Sequence, residues 1–146
     1  MAAEPDEPNV GLLMFIAYRS LENRVLDAVR TAGFDVSNAQ FKIMQRIGPN
    51  GTRLTELAKQ AQVTKQTAAF LVDQLERAGY VERVPDPTDG RARLVQLTGR
   101  SRSAVPIATG VVKQVEAEWT EHLGAKRMAQ LRRALIQLRE ITDPYA

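Results

Sequence analysis

The chain has 146 residues, of which 44% are hydrophobic and 25% charged, with one histidine and no cysteine. That is a one-domain length with enough apolar residues for a core, and the missing thiols exclude disulfides, thiol nucleophiles, thiolate metal sites and sensing by thiol oxidation. The net charge is only +3, but it is localised: residues 50–103 hold nine Lys and Arg against six acids, and the remainder balances at eleven of each, so any attraction for a polyanion belongs to the middle third.

Residues 1–8, MAAEPDEP, are acidic and proline-bearing and read as a loose leader. They lack the basic and apolar regions of a signal peptide. No apolar run approaches the about 20 residues of a membrane span, so a cytoplasmic protein with no membrane partner is expected. Helical spacing follows over 10–30, where Leu13, Ala17, Leu21, Arg24 or Val25, and Ala28 recur every three or four residues, and Gly33 fits a stop. A second helix is predicted over 38–47 with Ser37 as N-cap, ended by the turn GPNG at 48–51. Thr52 is expected to cap a third helix, RLTELAKQA, that buries Leu54, Leu57 and Ala58. Thr64 caps a fourth, with Ala68, Leu71, Val72, Leu75 and Ala78 on one stripe and Gly79 behind it. YVERV (80–84) and RARLVQLT (91–98) alternate as strands around the loop PDPTDGR, which predicts a β-hairpin. The rest is helical. Arg100–His122 is read as one long helix with a bend at Pro106, and Ala125–Ile141 carries Met128, Leu131, Leu135 and Leu138 at close to heptad spacing.

A short helix, a turn at 61–63 and a longer helix form a helix-turn-helix, and the hairpin directly after it is a wing. The longer helix opens with Thr64, Lys65, Gln66 and Thr67, followed outward by Phe70 and Gln74. Hydrogen-bonding side chains on the first turns of an exposed helix suit the major groove, where each base pair shows a distinct donor and acceptor pattern. By itself this tetrapeptide is more often a solvated helix start; the preceding helix and the following wing reverse the odds. In the wing, Pro85 and Pro87 stiffen the loop and Gly90 permits a tight tip. Arg91 is placed for a narrow minor groove, and Arg93 for phosphate or for a pair within the hairpin. Asp86 and Asp89 would repel phosphate, so they make sense as internal ties to backbone N–H groups, with Asp89 also pairing with an arginine and aiming it.

The pieces ELA (56–58), VTKQT (63–67), LVDQLERAGYVER (71–83), DPTDGRA (86–92) and VQLT (95–98) together resemble the winged helix-turn-helix core of the MarR (multiple antibiotic resistance regulator) family. They cover roughly a third of the chain and are specific as a set. The resemblance implies a mainly α fold with a small β-hairpin, in which N- and C-terminal helices form a dimerisation region. The partition expected is a leader at 1–8, a dimerisation helix at 9–36, the DNA-binding region at 37–98 and C-terminal dimerisation helices at 99–146, all in one compact domain. It implies double-stranded DNA as a partner, with Thr64, Lys65, Gln66, Thr67 and Phe70 facing the major groove and Arg91 entering the minor groove, aimed by Asp89. Phe70 departs from the polar or basic residue common at its position: it either meets a thymine methyl or turns away and packs. The family further implies release from DNA by a small aromatic or phenolic effector, for which Phe15, Tyr18, Arg19 and Phe41 are candidates.

The terminal helices carry more apolar surface than one small domain needs. Met14 and Leu21 at one end and Leu131, Leu135 and Leu138 at the other predict a two-fold homodimer reading a near-palindromic site. A repressor is expected of the regulator this implies, although the residues themselves do not separate repression from activation. The lone His122 and the absence of cysteine give no metal site, and no cofactor is expected. No phosphate-cradling loop or nucleophile arrangement is present, so the chain is read as a regulator and not an enzyme, with no catalytic residue. The alternative is a winged-helix protein-interaction module without specific DNA binding, in which Phe70 and the modest charge serve a protein contact.

Overall fold

The computed structural model describes residues 7–143; of the leader expected at 1–8, residues 1–6 lie outside that range. Helix α1 (Val10–Thr31) starts at Asn9, whose side chain accepts from the Leu12 amide. Helix α2 (Asn38–Arg46) opens with a capping box between Ser37 and Gln40. Helix α3 (Leu54–Gln60) and helix α4 (Lys65–Arg77) form the helix-turn-helix. Strands β1 (Val81–Asp86) and β2 (Asp89–Leu97) pair antiparallel. A short α5 (Gly99–Arg102) leads into α6 (Ala104–Leu123) and α7 (Ala125–Thr142).

Four details differ from the sequence expectations, each for a physical reason. Thr52 does not cap α3. Its backbone exchanges two hydrogen bonds with Val95, at 2.8 and 2.9 Å, which adds a one-residue third strand to the hairpin, and its hydroxyl accepts from the Gly48 amide. The cap position falls to Arg53, which makes no side-chain cap bond. The hairpin is longer than expected: the ladder reaches the Asp86–Asp89 pair, so Pro87 and Thr88 alone form the tip. The long C-terminal helix is broken at Ser103, between α5 and α6; Pro106 cannot donate to the carbonyl of Arg102 and its ring crowds that group. Ala78 is exposed, because the helical stripe ends at the C-cap.

The core gathers one face of each element. Val25, Leu26 and Val29 of α1 meet Phe41, Ile43 and Met44 of α2, with Leu57 of α3 and Val72 and Leu75 of α4; Tyr80, Val81 and Val95 close it from the wing. Leu21 packs half-buried against the same core, so it belongs to the interior of its own chain as well as to the helix expected to dimerise. Arg100 lies over the Tyr80 ring at 4.9 Å and the Phe34 ring at 5.9 Å, and the Ser101 hydroxyl donates to the Tyr80 carbonyl at 2.7 Å. These contacts fasten α5, and so the start of α6, to the winged lobe. Helix α6 packs along α1, with Val115 buried between them and Arg24 paired with Glu118. By contrast the first half of α1 exposes its apolar residues, Met14 and Phe15 among them, and α7 buries none of its own, with Leu131, Leu135 and Leu138 exposed.

Candidate nucleic-acid interface

The turn between α3 and α4 is built by backbone bonds. Gln62 sits in the left-handed region at φ 56°, its amide donating to the Lys59 carbonyl and the Val63 amide to that of Ala58, both at 3.0 Å. This is a Schellman closure, usually made with glycine. It reverses the chain in three residues and delivers Thr64 as N-cap of α4, where its hydroxyl accepts from the Thr67 amide at 3.0 Å and donates to the Thr67 hydroxyl at 2.9 Å. Ala68, Leu71, Val72 and Leu75 then bury the inner face, and Lys65, Gln66, Thr67 and Phe70 stand in solvent on the outer one. The Lys65 and Gln66 head groups make no bond within the described residues, so their donors are available; Thr67 keeps its own hydroxyl proton. Gln74 is set apart from this group. Half-buried, its side-chain oxygen accepts from the Gln40 amide of α2 at 3.1 Å, which ties it to the capping box of that helix.

Further along α4, Asp73 and Glu76 are both held at 2.7 Å by Arg83 of β1. This arginine locks recognition helix to wing and neutralises the two carboxylates nearest the outer stripe. The wing has its own lock. Asp86, buried at the tip, accepts at Oδ1 from the amide and hydroxyl of Thr88, at 2.9 and 2.7 Å. At Oδ2 it accepts from Nε and Nη2 of Arg53, at 3.0 and 2.8 Å. The Thr88 bonds, backbone first, and then the Arg53 guanidinium hold the Asp86 carboxyl well below the usual range, at about 2. Asp89 accepts from the backbone amide of Arg91 at 3.0 Å and lies 3.8 Å from Arg53. The aspartates are internal ties, as expected, but the arginine that Asp89 meets is Arg53; its hold on Arg91 runs through the backbone.

Arg91 and Arg93 are two residues apart on β2, hence on one face, and both are exposed. The same face is buried lower down at Val95, so the side of the strand that seals the core continues past it as two guanidinium groups with no partner among the described residues. Arg53 is the residue that sequence reading missed. Nothing in its neighbourhood marks it, and its role depends on a carboxylate 33 positions later.

The four candidate effector residues do not meet. Phe15, Tyr18 and Arg19 line an open recess of about 270 Å³ with Glu22, Asn38 and Lys42. Burial, reinforced by the Glu22 carboxylate, pushes the Tyr18 hydroxyl up to about 12, so it stays protonated. Phe41 lies on the inner face of α2 and walls a separate cavity of about 310 Å³, lined mainly by apolar side chains including Met44, Ile47, Ala104, Ala108 and Val112. That cavity lies between the winged lobe and α6. Among the described residues no group of three or more His, Cys, Asp or Glu is arranged to hold a metal ion, and no helix is long and apolar enough to cross a membrane.

Residues 36–93, from the start of α2 to the wing arginines, match the model of the MarR family. The chain therefore carries a MarR-type region over these residues. It is similar to an HTH-type transcriptional repressor of Mycobacterium tuberculosis, 28% identical over 134 residues that cover 91% of this chain and 95% of that one. The fold matches a mutant of Escherichia coli MarR complexed with operator DNA, at 26% identity and a TM-score of 0.69 over 88% of this chain and 92% of that one. It also matches NadR in complex with 4-hydroxyphenylacetate, at 21% identity and TM-score 0.69 over 97% and 99%, a likeness of fold. The protein is a DNA-binding transcriptional regulator of the winged helix-turn-helix type, and the relatives it resembles are transcriptional repressors and regulators.

Proposed function

We propose that two copies of this chain bind one near-palindromic DNA site and repress transcription by occupying it. Helix α4 lies in the major groove with Lys65, Gln66 and Thr67 at base edges, and the wing sets Arg91 in the adjacent minor groove with Arg93 on phosphate. The observation that carries this reading is the uncovered donor-rich edge of α4 beside a wing held rigid by Arg53–Asp86 and Arg83. The pairing of copies is supported by the exposed apolar first half of α1 and the Leu131, Leu135 and Leu138 stripe of α7, surfaces a monomer would leave in water. Such a dimer spaces its recognition helices by about 34 Å, or about 10 bp between half-site centres. Repression is favoured by the likeness to the mycobacterial relative, a transcriptional repressor.

Release by a small aromatic effector completes the proposal. The cavity between α2 and α6 joins the lobe that reads DNA to the helix that sets its position. An occupant there favours one angle between the two over another, which is how a ligand shifts a population. NadR, of the same fold, forms a complex with the small aromatic acid 4-hydroxyphenylacetate.

Selection of bound duplexes from a random pool tests the reading. The expected result is an inverted repeat with the stated spacing, bound with a log–log salt slope of about −5 if about six phosphates are neutralised. No enriched sequence, together with salt-independent affinity for random DNA, would replace it with a protein-interaction module.

A further inference from the structure

The outer edge of α4 contains one side chain that no hydrogen-bonding account explains. Phe70 is 58% exposed in the second turn of the helix, one turn after Gln66. It is absent from the core and from the half-buried residues packed on it. Its neighbours Ala68, Leu71 and Val72 point inward and are buried, so the fold had inner positions for an aromatic ring and placed this one outside them. On either side along the stripe stand Gln66 and Asp73, and Asp73 is already bound by Arg83. The ring therefore occupies the last position on α4 whose neighbours toward the N-terminus carry free donors, before the helix turns to its ties with the wing.

We infer that Phe70 reads the C5-methyl group of a thymine, one in each half-site. This rests on the proposed placement of α4 in the major groove. In that groove the edges of guanine, adenine and cytosine present donors and acceptors, and only thymine adds an apolar group. A phenyl ring set against a polar edge strips water from it and returns no hydrogen bond, which is unfavourable. Set against a methyl, it removes apolar surface of both partners from water. The ring thus selects in two ways, by attraction to thymine and by leaving other bases unsatisfied. Lys65, Gln66 and Thr67 can bond neighbouring base edges at the same time, because none needs the space Phe70 fills.

The test exchanges thymine for uracil, one position at a time, in the selected site. The exchange removes the methyl and keeps the hydrogen-bonding edge. For the full-length wild-type chain, affinity should fall about fourfold per half-site at a single position, the effect of exposing one methyl-sized group, and hold at the others. In Phe70→Ala the drop at that position should vanish, while circular dichroism and the melting temperature stay as in wild type, since the ring supports no core contact. Phe70→Leu should retain part of the discrimination. If the wild type binds the selected site tightly yet is indifferent to every uracil exchange, this inference falls and the reading of α4 stands. The inference also falls if the drop persists in Phe70→Ala, which would assign the methyl to another residue or to duplex stiffness. If no sequence is selected at all, the placement of α4 fails first and takes this inference with it.

Discussion

Replacing Arg91 by alanine tests whether the wing reaches DNA. In the free chain the Arg91 side chain bonds nothing among the described residues, and the tie at this position is the backbone amide held by Asp89, which alanine keeps. The melting temperature should therefore hardly move, as for surface substitutions within about 0.5 kcal/mol. On DNA the loss should be about 1–3 kcal/mol for each wing. Each guanidinium withdrawn from the negative potential of the groove lowers the number of counterions displaced by about one, and the steepness of log affinity against log salt by about 0.9. A dimer has two wings, so the slope should be less steep by about 2. Between 50 and 200 mM salt, a fourfold change, a slope difference of about 2 narrows the gap between wild type and variant by about 16-fold. Fluorescence anisotropy on the selected duplex across that range measures both quantities. Superimposable salt curves for the two proteins would show that the wing tips stay clear of DNA, whatever α4 does.

Two further outcomes concern the scaffold. Asp86 has a folded carboxyl pKa of about 2, below its ordinary value near about 4. Its contribution to stability is therefore complete above about pH 4 and lost as pH falls toward about 2. Wild type should show an acid-dependent fall in stability in that window that Asp86→Asn lacks, and Arg53→Ala should reduce wing-dependent DNA affinity without disturbing α3–α4 packing. Identical acid titrations of wild type and Asp86→Asn would remove Asp86 from the account. Gly51 lies at φ 88°, and a Cβ there would stand 2.9 Å from that of Leu94. Gly79 has a similar φ of 81° and open space around it. Gly79→Ala should lose only the left-handed backbone term, about 1–2 kcal/mol, and Gly51→Ala distinctly more; equal losses in denaturant unfolding would mean the Leu94 contact relaxes freely.

Some of this was legible before any coordinates. Ser37 with Gln40 three residues on, Thr64 ahead of a 3–4 stripe, and Gly79 behind it each mark a helix end through bonds made within one turn. The Pro/Asp/Gly tip announced a hairpin for the same reason. Phe70 was an open choice between packing and exposure, because its spacing fits the edge of either face; only the seating of α4 on the core decided it. Gln74 looked like an outward donor by periodicity, and the approach of α2 turned it toward Gln40, 34 residues away. Phe15 and Phe41 looked alike as aromatic candidates until the fold put Phe15 in the open recess beside Tyr18 and Phe41 on the wall of the cavity facing α6.

The order of residues alone settled the starts of α2 and α4 at Ser37 and Thr64 and which side of α4 is apolar, since those choices are made by backbone sterics and near-neighbour hydrogen bonds; the cap of α3, the ends of the hairpin and the break before α6 depended on contacts outside each element. The folded chain decided which polar groups are left unspent. Arg53 is consumed by Asp86, and Asp73 and Glu76 by Arg83, while Lys65, Gln66, Arg91 and Arg93 find no partner among the described residues. A charge can be assigned as tie or contact only when its distance to every other charge is known, and that distance is a property of packing.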